Sequence, residues 1–399
     1  MISGVGLENF HMVRHWDSLS AEGGGFVGIA PALLEGWMRD YYFDTEIDLG
    51  SSGVESFALG DVRRLSGLTQ EEMDRMLFDD SRTQGAAGLR EAVARRWGDG
   101  NSDRVMATHG SSEAIYLIMN ALLRAGDEVI VLEPCYQQLA SIAEAIGCHT
   151  KRWRLPAEQN FAADVGDLQA LISPHTRMVV VNFPHNPTGA SLTPGGQRDL
   201  IRAVAAIGAY LVWDAAFSDL VFTGEPLPNP VSLYERAITL GTLSKAYGLA
   251  GLRVGWLFAA PDVISACIHL RDYVTLHLSP LVELIAQRAI ESGDSLLSIR
   301  LAQARKNLEA LRGWASHYEQ AVEWVEPRGG VCAFPRLKFI EDSSPFCREL
   351  ARRYSTLLVP GTCFNYPAHV RLGFGGPPDA FTEGLRRLTA LLKTRAHIA

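Results

Sequence analysis

The sequence predicts an α/β fold with a largely parallel central sheet, and two patterns indicate it. Helix-like segments alternate with short apolar runs through the middle of the chain, and the runs at 129–132 and 178–182 are almost uninterrupted by polar residues. Strands of this kind are buried on both faces, as in parallel sheets that are covered by helices. After about residue 280 the pattern changes to long helical stretches, which indicates a second, smaller unit.

The predicted elements follow one another closely, and turn residues separate them. Gly126-Asp127 divides the first of these helices from the strand after it. In chain order we expect a helix at 112–124, a strand at 129–132, a helix at 139–146, a strand at 178–182, a helix at 197–207 and strands at 210–213 and 237–240.

The last third of the chain is predicted to form the smaller unit. A long helix over 284–315 is expected to break near Gly293, and leucines form one apolar stripe on a closing helix over 381–393. Short strands are expected at 331–334 and 370–372. The predicted division is an N-terminal segment (1–47) that packs with the small domain, a large domain (48–283) and a C-terminal small domain (284–399).

Composition excludes several classes of protein. The 399 residues are 47% hydrophobic and 21% charged, with a formal net charge of -8 and no lysine or arginine run that forms a basic patch, which argues against a nucleic-acid partner. The six cysteines are scattered, so we expect reduced thiols, no metal site and a cytoplasmic location. We find no secretory signal and no apolar stretch of membrane-spanning length, and expect no membrane partner.

One lysine lies among small hydroxyl and glycine residues at 242–256. The Lys245 amine can bond covalently to an aldehyde cofactor, while Thr242, Ser244 and Arg253 can hold a phosphate. Pyridoxal 5′-phosphate carries both groups on a pyridine ring. Taken alone, the segment also fits a surface lysine beside a glycine-rich turn.

Two further segments favour the cofactor. Asp214 directly follows an apolar strand, where a buried carboxylate can keep the pyridine nitrogen protonated, although it could equally cap the next turn. Asn186 precedes Pro187 and is therefore held out of helical geometry, so that its amide can donate to the phenolic oxygen of the cofactor. Asn-Pro-Thr-Gly alone predicts only a turn.

Three more candidates complete the set. The run 108–114 opens a helix, and the amides and hydroxyls of Ser111 and Ser112 can bind an anion there, although a serine N-cap is a common alternative. Tyr136 follows a strand and can stack on the ring, or belong to the core. Arg371 can bind a substrate carboxylate, or form a surface ion pair.

The order of these segments resembles the class I/II aminotransferases, which are pyridoxal-phosphate enzymes of fold type I. The resemblance runs from about Asp48 onward and implies a large domain with a mostly parallel seven-stranded sheet, a smaller α+β domain and a homodimer. It is carried by Gly110-Ser-Ser-Glu-Ala114, Pro134-x-Tyr136, Asn186-Pro-Thr-Gly189, Asp214-x-x-Phe217, Ser244-Lys245, Arg253-x-Gly255, Pro360-Gly361 and Arg371.

The resemblance also implies a role for each matching residue. Lys245 would attach the cofactor and act as catalytic acid and base, while Asp214 pairs with the pyridine nitrogen and Tyr136 stacks on the ring. Asn186 would bind the phenolic oxygen and, with Arg371 and a backbone amide at Gly53, surround the carboxylate of a small-molecule substrate. The implied phosphate ligands are Ser111, Ser112, Thr242, Ser244 and Arg253.

Two departures from the family pattern concern the surroundings of the ring. Phe217 stands where these aminotransferases carry a tyrosine, and the run 78–80 replaces a tyrosine that reaches the phosphate of the partner subunit. Altered contacts around the ring make plain transamination less certain.

A narrower resemblance, to enzymes that cyclise hydroxylated arginine for nonribosomal-peptide antibiotics, fits these departures. It implies loss of a β-hydroxyl and attack by the guanidine of the substrate, giving a six-membered ring; a γ-hydroxyl would give a five-membered ring, as in enduracididine. The alternatives are an aminotransferase and an arginine oxidase or hydroxylase. The runs that carry it are 48–54, 108–114, 180–187, 241–248, 278–283 and 327–331. A guanidinium substrate needs a carboxylate partner, for which Glu55, Asp79 and Asp80 are candidates by position, although each could instead be a solvated loop acid.

Overall fold

A seven-stranded sheet forms the centre of the protein in a computed structural model, which describes residues 28–397. Its spatial order is β1-β7-β6-β5-β4-β2-β3, and only β7 runs opposite to the other strands. The strands are β1 (Val105–Thr108), β2 (Glu128–Glu133), β3 (His149–Arg154), β4 (Thr176–Asn182), β5 (Tyr210–Asp214), β6 (Ala237–Thr242) and β7 (Gly255–Phe258).

The sheet is buried on both faces, as its apolar strands predict. Successive side chains of a strand point to opposite faces, and β4 shows this directly. Val179 and Val181 join one apolar core, while Met178 and Val180 join another. The predicted α/β fold with a largely parallel sheet is therefore confirmed.

Thirteen α-helices lie around this sheet and in the second unit within residues 28–397. The predicted break near Gly293 is present, since one helix ends at Glu291 and the next begins at Gly293. The helices are α1 (Leu33–Tyr41), α2 (Leu59–Ser66), α3 (Gln70–Asp74), α4 (Ala87–Trp97), α5 (Gly110–Leu122), α6 (Gln138–Ile146), α7 (Val165–Leu171), α8 (Pro194–Ala205), α9 (Pro261–Arg271), α10 (Pro280–Glu291), α11 (Gly293–His317), α12 (Ser344–Tyr354) and α13 (Pro378–Ala396).

The smaller unit contains short strands in three small sheets. Val370–Gly373 lies between Cys332–Ala333 and Val359–Pro360, antiparallel to both. The other two sheets pair Ile47–Asp48 in parallel with Thr356–Leu357, and Val322–Glu323 antiparallel with Arg336–Leu337.

The N-terminal part of the described chain packs against this smaller unit. Trp37 of α1 donates a hydrogen bond to the carbonyl of Leu358, over 2.9 Å, and the strand at residue 47 pairs with the one at 356. These contacts support packing of the N-terminal segment with the small domain, and the boundaries at 47/48 and 283/284 stay a proposal; residues 1–27 of the first segment lie outside the described residues. Within residues 28–397, none of the helices has the length and apolar character needed to cross a membrane.

Candidate active site

Lys245 lies in the connection between β6 and β7, which carries the predicted lysine motif. Residues 243–254 join these two antiparallel strands, and the lysine lies just past the carboxyl end of β6. The Lys245 amine donates a hydrogen bond to Ser52 Oγ over 2.8 Å. Burial, together with the positive charge of Arg371, lowers the pKa of Lys245. A lowered pKa increases the fraction of neutral amine, the form that can take up a proton or attack an aldehyde.

The predicted phosphate ligands converge at the start of α5. Thr242 Oγ1 donates to Ser244 Oγ over 2.9 Å, and Arg253 donates to the same hydroxyl over 3.4 Å. A Cβ added at Gly110 would lie 2.6 Å from the Arg253 guanidinium, so the guanidinium lies directly against the helix N-terminus. Arg253, bonded to the Ser244 hydroxyl, therefore places a cation at the first turn of α5, which contains Ser111 and Ser112.

The backbone of β7 at Gly255 passes very close to the backbone at the start of α5. A Cβ on Gly255 would lie 2.5 Å from the carbonyl carbon of Gly110 and 2.5 Å from the Ser111 nitrogen. No real side chain tolerates such contacts, so β7 can pass the start of α5 only with glycine at this position. The two segments that form the phosphate cradle are held together by this contact.

Asp214 and Asn182 end two neighbouring strands side by side. The two residues are register partners in β4 and β5, and Asn182 donates its side-chain amide to the Asp214 carbonyl over 2.9 Å. The Asp214 carboxylate is 6% exposed and accepts one hydrogen bond, from the Ala216 amide. Burial raises its pKa to about 6. Such a carboxylate is suited to a protonated ring nitrogen, which would supply the missing positive partner.

Arg371 is 2% exposed and contacts two other segments of the site. Its Nη1 donates to Asn186 Oδ1 over 3.3 Å, and its Nε and Nη2 donate to the carbonyl of Gly50. The surface ion pair considered above is therefore excluded. Because Asn186 accepts through its oxygen, its amide nitrogen is available to donate, as the predicted contact with a phenolic oxygen requires.

Tyr136 is close to both Asp214 and α1. Its hydroxyl donates to Glu35 Oε1 over 2.8 Å. Burial and the negative charge of Glu35, with a smaller contribution from Asp214, raise the pKa of Tyr136 well above its usual value. The phenol is therefore neutral at physiological pH and remains a donor.

Gly53 and Ser52 belong to the turn that follows the strand at residue 47. A Cβ on Gly53 would lie 3.3 Å from the Ser244 carbonyl, and the next amide donates to the Lys245 carbonyl over 3.1 Å. Gly53 is thus next to the lysine segment, and its predicted contact with a substrate carboxylate stays a prediction. Ser52 was not predicted as a site residue, although the run 48–54 that contains it carried the narrower resemblance; its own partner is 193 positions away.

His185 joins two loops of the site and was also not singled out. Its Nε2 is 2.7 Å from the Pro134 carbonyl and its Nδ1 is 2.7 Å from Thr188 Oγ1. The carbonyl can only accept, so Nε2 carries the proton and Nδ1 accepts from the threonine. Burial lowers the pKa of His185 to about 4, which keeps this neutral tautomer in place. The ring thereby fixes the loops that carry Tyr136 and Asn186.

The arrangement fits pyridoxal 5′-phosphate. The groups that it requires are a lysine amine, an anion cradle at a helix start, a buried carboxylate, an amide donor and an aromatic face, and the structure brings candidates for all of them together. The ring nitrogen of such a molecule would give Asp214 a positive partner, and its phosphate would fill the cradle at Gly110 and Arg253.

A separate cavity of about 670 Å³ lies beside Trp97, Trp213 and Trp256. Lys245 and Arg371 are not among the residues that line it, so far as residues 28–397 define its wall. We assign the chemistry to the Lys245 site, because that is where the titratable groups and the anion cradle meet.

Comparison with known proteins identifies the family of this chain. The family model for aminotransferase class I and II matches residues 60–388. Capreomycidine synthase of Streptomyces vinaceus is 44% identical over 94% of this chain and 97% of its own, and the arginine–pyruvate transaminase AruH of Pseudomonas aeruginosa is 28% identical over 80% and 85%.

A solved structure of the PLP-dependent cyclase OrfR superposes with a TM-score of 0.88 and 44% identity, covering 92% of this chain and 98% of that one. A PLP-dependent aminotransferase from Streptococcus suis gives the same TM-score at 26% identity, covering 92% and 99%. The predicted family and fold are confirmed: this chain belongs to the aminotransferase class I and II family, and has its fold.

Proposed function

We propose that this protein is a pyridoxal-phosphate-dependent cyclase that converts a hydroxylated L-arginine to a cyclic guanidine amino acid such as capreomycidine. The observation that carries the proposal is the 44% identity to capreomycidine synthase over 94% of the chain, together with the equal identity to the cyclase OrfR. A lysine, a buried carboxylate and a buried arginine at one site support it.

When bound, pyridoxal phosphate supplies an electron sink for the charge that develops on the substrate α-carbon. Asp214 would hold the ring nitrogen in its protonated form, and Tyr136 would cover one face of the ring. Ser111, Ser112, Thr242, Ser244 and Arg253 would hold the phosphate.

The residues of the chain would then direct the substrate steps. Arg371, with Asn186 and the backbone at Gly53, would fix the α-carboxylate, and Lys245 would remove the α-proton. The β-hydroxyl leaves with a proton as water. A guanidine nitrogen then forms a bond to the β-carbon and releases its own proton, while the α-carbon regains one, so the net change is loss of one water.

Mass spectrometry of the products from 3-hydroxyarginine, 4-hydroxyarginine and arginine, incubated in parallel, tests this function. We expect a product lighter by one water from a hydroxyarginine, without consumption of a 2-oxo acid or oxygen. The 4-hydroxyarginine sample tests formation of a five-membered ring. Failure to form a water-loss product from either compound would contradict the proposal.

Transamination is the second candidate, because the family and the 28% identity to the arginine–pyruvate transaminase AruH support it. Adding pyruvate to the same samples separates the two. Stoichiometric formation of alanine from arginine would favour transamination, whereas oxygen uptake with arginine would favour an oxidase or hydroxylase.

We also propose a cytoplasmic homodimer. Large apolar side chains are exposed in two segments that lie far apart in the sequence, with Phe78 78% exposed and Tyr273 82% exposed. A second copy of the chain could cover them. All six cysteines are free, which fits a reducing compartment. Light scattering coupled to gel filtration should give twice the mass of the chain, and a monomer would contradict the dimer.

A further inference from the structure

Glu35 has a carboxylate that faces the candidate site without a positive partner among residues 28–397. It lies in the first turn of α1 and accepts the hydrogen bond from the Tyr136 hydroxyl, a neutral group, over 2.8 Å. The side chain is half-buried. A partly desolvated carboxylate gains most from a charged donor, which this contact does not provide.

The position of Glu35 is fixed from both sides. The Leu33 amide donates to Gln137 Oε1, and Gln137 Nε2 donates to the Pro31 carbonyl, both over 2.9 Å. On the other side, Trp37 is anchored to the Leu358 carbonyl. Helix α1 is therefore held between the Tyr136 loop and the small unit, and its carboxylate is directed at the site by rigid contacts.

The negative charge of Glu35 acts on the Lys245 amine. Burial and Arg371 lower the pKa of Lys245, whereas Glu35 acts on it in the opposite direction. The carboxylate is thus within electrostatic range of the amine, on the side of Tyr136. A substrate whose α-carboxylate is held by Arg371 would have a cation (Arg371) at one end of its binding site and an anion (Glu35) available to its side chain.

Other carboxylates in this part of the molecule are already engaged. Asp48 Oδ1 accepts from the amides of the turn that follows it. Glu55, which the sequence offered as a guanidinium partner, is bound to Arg300 over 2.5 Å. Glu133 is paired with an arginine over 3.2 Å. Asp79 and Asp80, the other two sequence candidates, are exposed to solvent.

We propose that Glu35 is the specificity-determining residue that binds the guanidinium of an arginine-type substrate, with Tyr136 orienting its carboxylate. The proposal rests on the proposed function, because it assumes that the substrate binds through Lys245 and Arg371. The planar guanidinium can donate to the carboxylate, and thereby brings the positive charge that Glu35 lacks. Neutralising Glu35 should therefore weaken binding of guanidinium substrates more than that of neutral ones.

The test compares L-arginine with L-citrulline, which has a neutral urea in place of the guanidinium. Each is titrated into the cofactor-loaded enzyme without oxo acid or oxygen, and the visible absorbance of the cofactor reports binding. We expect the wild type to bind arginine about 10- to 100-fold more tightly, the range for hydrogen bonds to charged groups. In Glu35→Gln this ratio should fall to about twofold or less.

Two further variants control the test. Glu35→Asp keeps the charge on a shorter side chain and should lower the ratio only in part. Asp40→Asn removes an exposed charge from the same helix and should keep the wild-type ratio. A wild type that does not discriminate would overturn the proposal, as would an unchanged ratio in whichever Glu35 variants load cofactor.

The binding ratio and the cyclisation assay separate the two proposals. Discrimination through Glu35 without formation of any ring from hydroxyarginine would overturn the cyclase and leave the guanidinium site in place. Cyclisation by the wild type with an unchanged ratio in Glu35→Gln would overturn the guanidinium site and leave the cyclase in place.

Discussion

The carboxylates of Glu113 and Asp214 are both buried, but only Glu113 is paired with a cation. Glu113, beneath the start of α5, accepts hydrogen bonds from the His109 amide and from Arg271, which is 0% exposed. Burial tends to raise its pKa, but the hydrogen bonds from His109 and the charge of Arg271 outweigh burial and lower it to about 2. Asp214 lacks such partners, and burial raises its pKa to about 6.

The difference separates a structural ion pair from a binding site. Arg271 also donates to the carbonyls of Thr83 and Ala107, so both charges of the pair have their partners within the protein. The Ala216 amide and the charge of Lys245 offset the desolvation of Asp214 only in part, so its pKa stays raised. A buried acid in that condition is expected where a ligand brings the opposite charge.

Replacing the lysine should have the largest effect on activity. Lys245→Ala should remove the visible absorbance of the purified protein and lower turnover by about 10³-fold or more, because the cofactor loses its attachment and the α-proton its base. Absorbance spectra and turnover measure this change. Lys151→Ala, a lysine bound to Glu128 outside the site, should leave both unchanged. A coloured, active Lys245→Ala protein would refute the assignment of the site.

The next effect should come from Asp214→Asn, which should lower turnover about 10²- to 10³-fold through loss of charge stabilisation. In the cofactor-free protein the same change should increase the free energy of unfolding at pH 8 by about 1–3 kcal/mol. The folded state holds the extra proton between pH 4 and 6, so the Asp214 contribution to stability falls as pH rises through that window. Denaturant titrations at pH 4.5 and 8 measure it; no gain in stability at pH 8, or an equal gain at both pH values, would contradict the comparison.

Glu113→Gln should have the opposite effect on stability. Removing one partner of the pair leaves Arg271 buried without a counter-charge, and should cost about 3 kcal/mol. Because the pKa of Glu113 is lowered, its stabilising contribution is present above pH 4.5 and is lost as pH falls towards 2. Urea unfolding at pH 7 measures the loss, with the exposed Glu309→Gln as control. A loss no larger than in that control would show that the pair is not structural.

Ser52→Ala should have the smallest effect of the series. The Lys245 amine would lose one hydrogen bond, and we expect turnover to fall about tenfold with cofactor content and substrate KM nearly unchanged, in line with roughly 1 kcal/mol for such a bond. Steady-state kinetics and absorbance measure the three quantities. A larger change in KM than in turnover would assign Ser52 to substrate binding instead.

Much of the fold and site was predictable because its signals are local. The apolar runs gave the central strands, and the segments around Asn186, Asp214 and Lys245 lie at strand ends in a recognisable order. The strand β3 (His149–Arg154) was missed, because it lies at the edge of the sheet and alternates polar and apolar residues poorly. The antiparallel β7 was also not predicted.

The residues that sequence reasoning missed depend on distant contacts. Glu35 reaches Tyr136 across 101 positions, and Ser52 reaches Lys245 across 193. Neither has a local pattern that sets it apart from a helix-surface glutamate or a turn serine. Glu55 shows the converse, since its position near a motif suggested a ligand but a distant arginine, Arg300, occupies it.

The close approach of Gly255 to Gly110 has a consequence for how this enzyme can vary. The phosphate cradle depends on the missing side chains of Gly110 and Gly255, because a Cβ at either position would collide with Arg253 or with the start of α5. A substitution at either glycine would therefore disrupt the cradle and could not reshape it gradually. We therefore expect new reactions to arise by exchange of side chains that face the substrate, such as Glu35, because these exchanges leave the phosphate cradle intact.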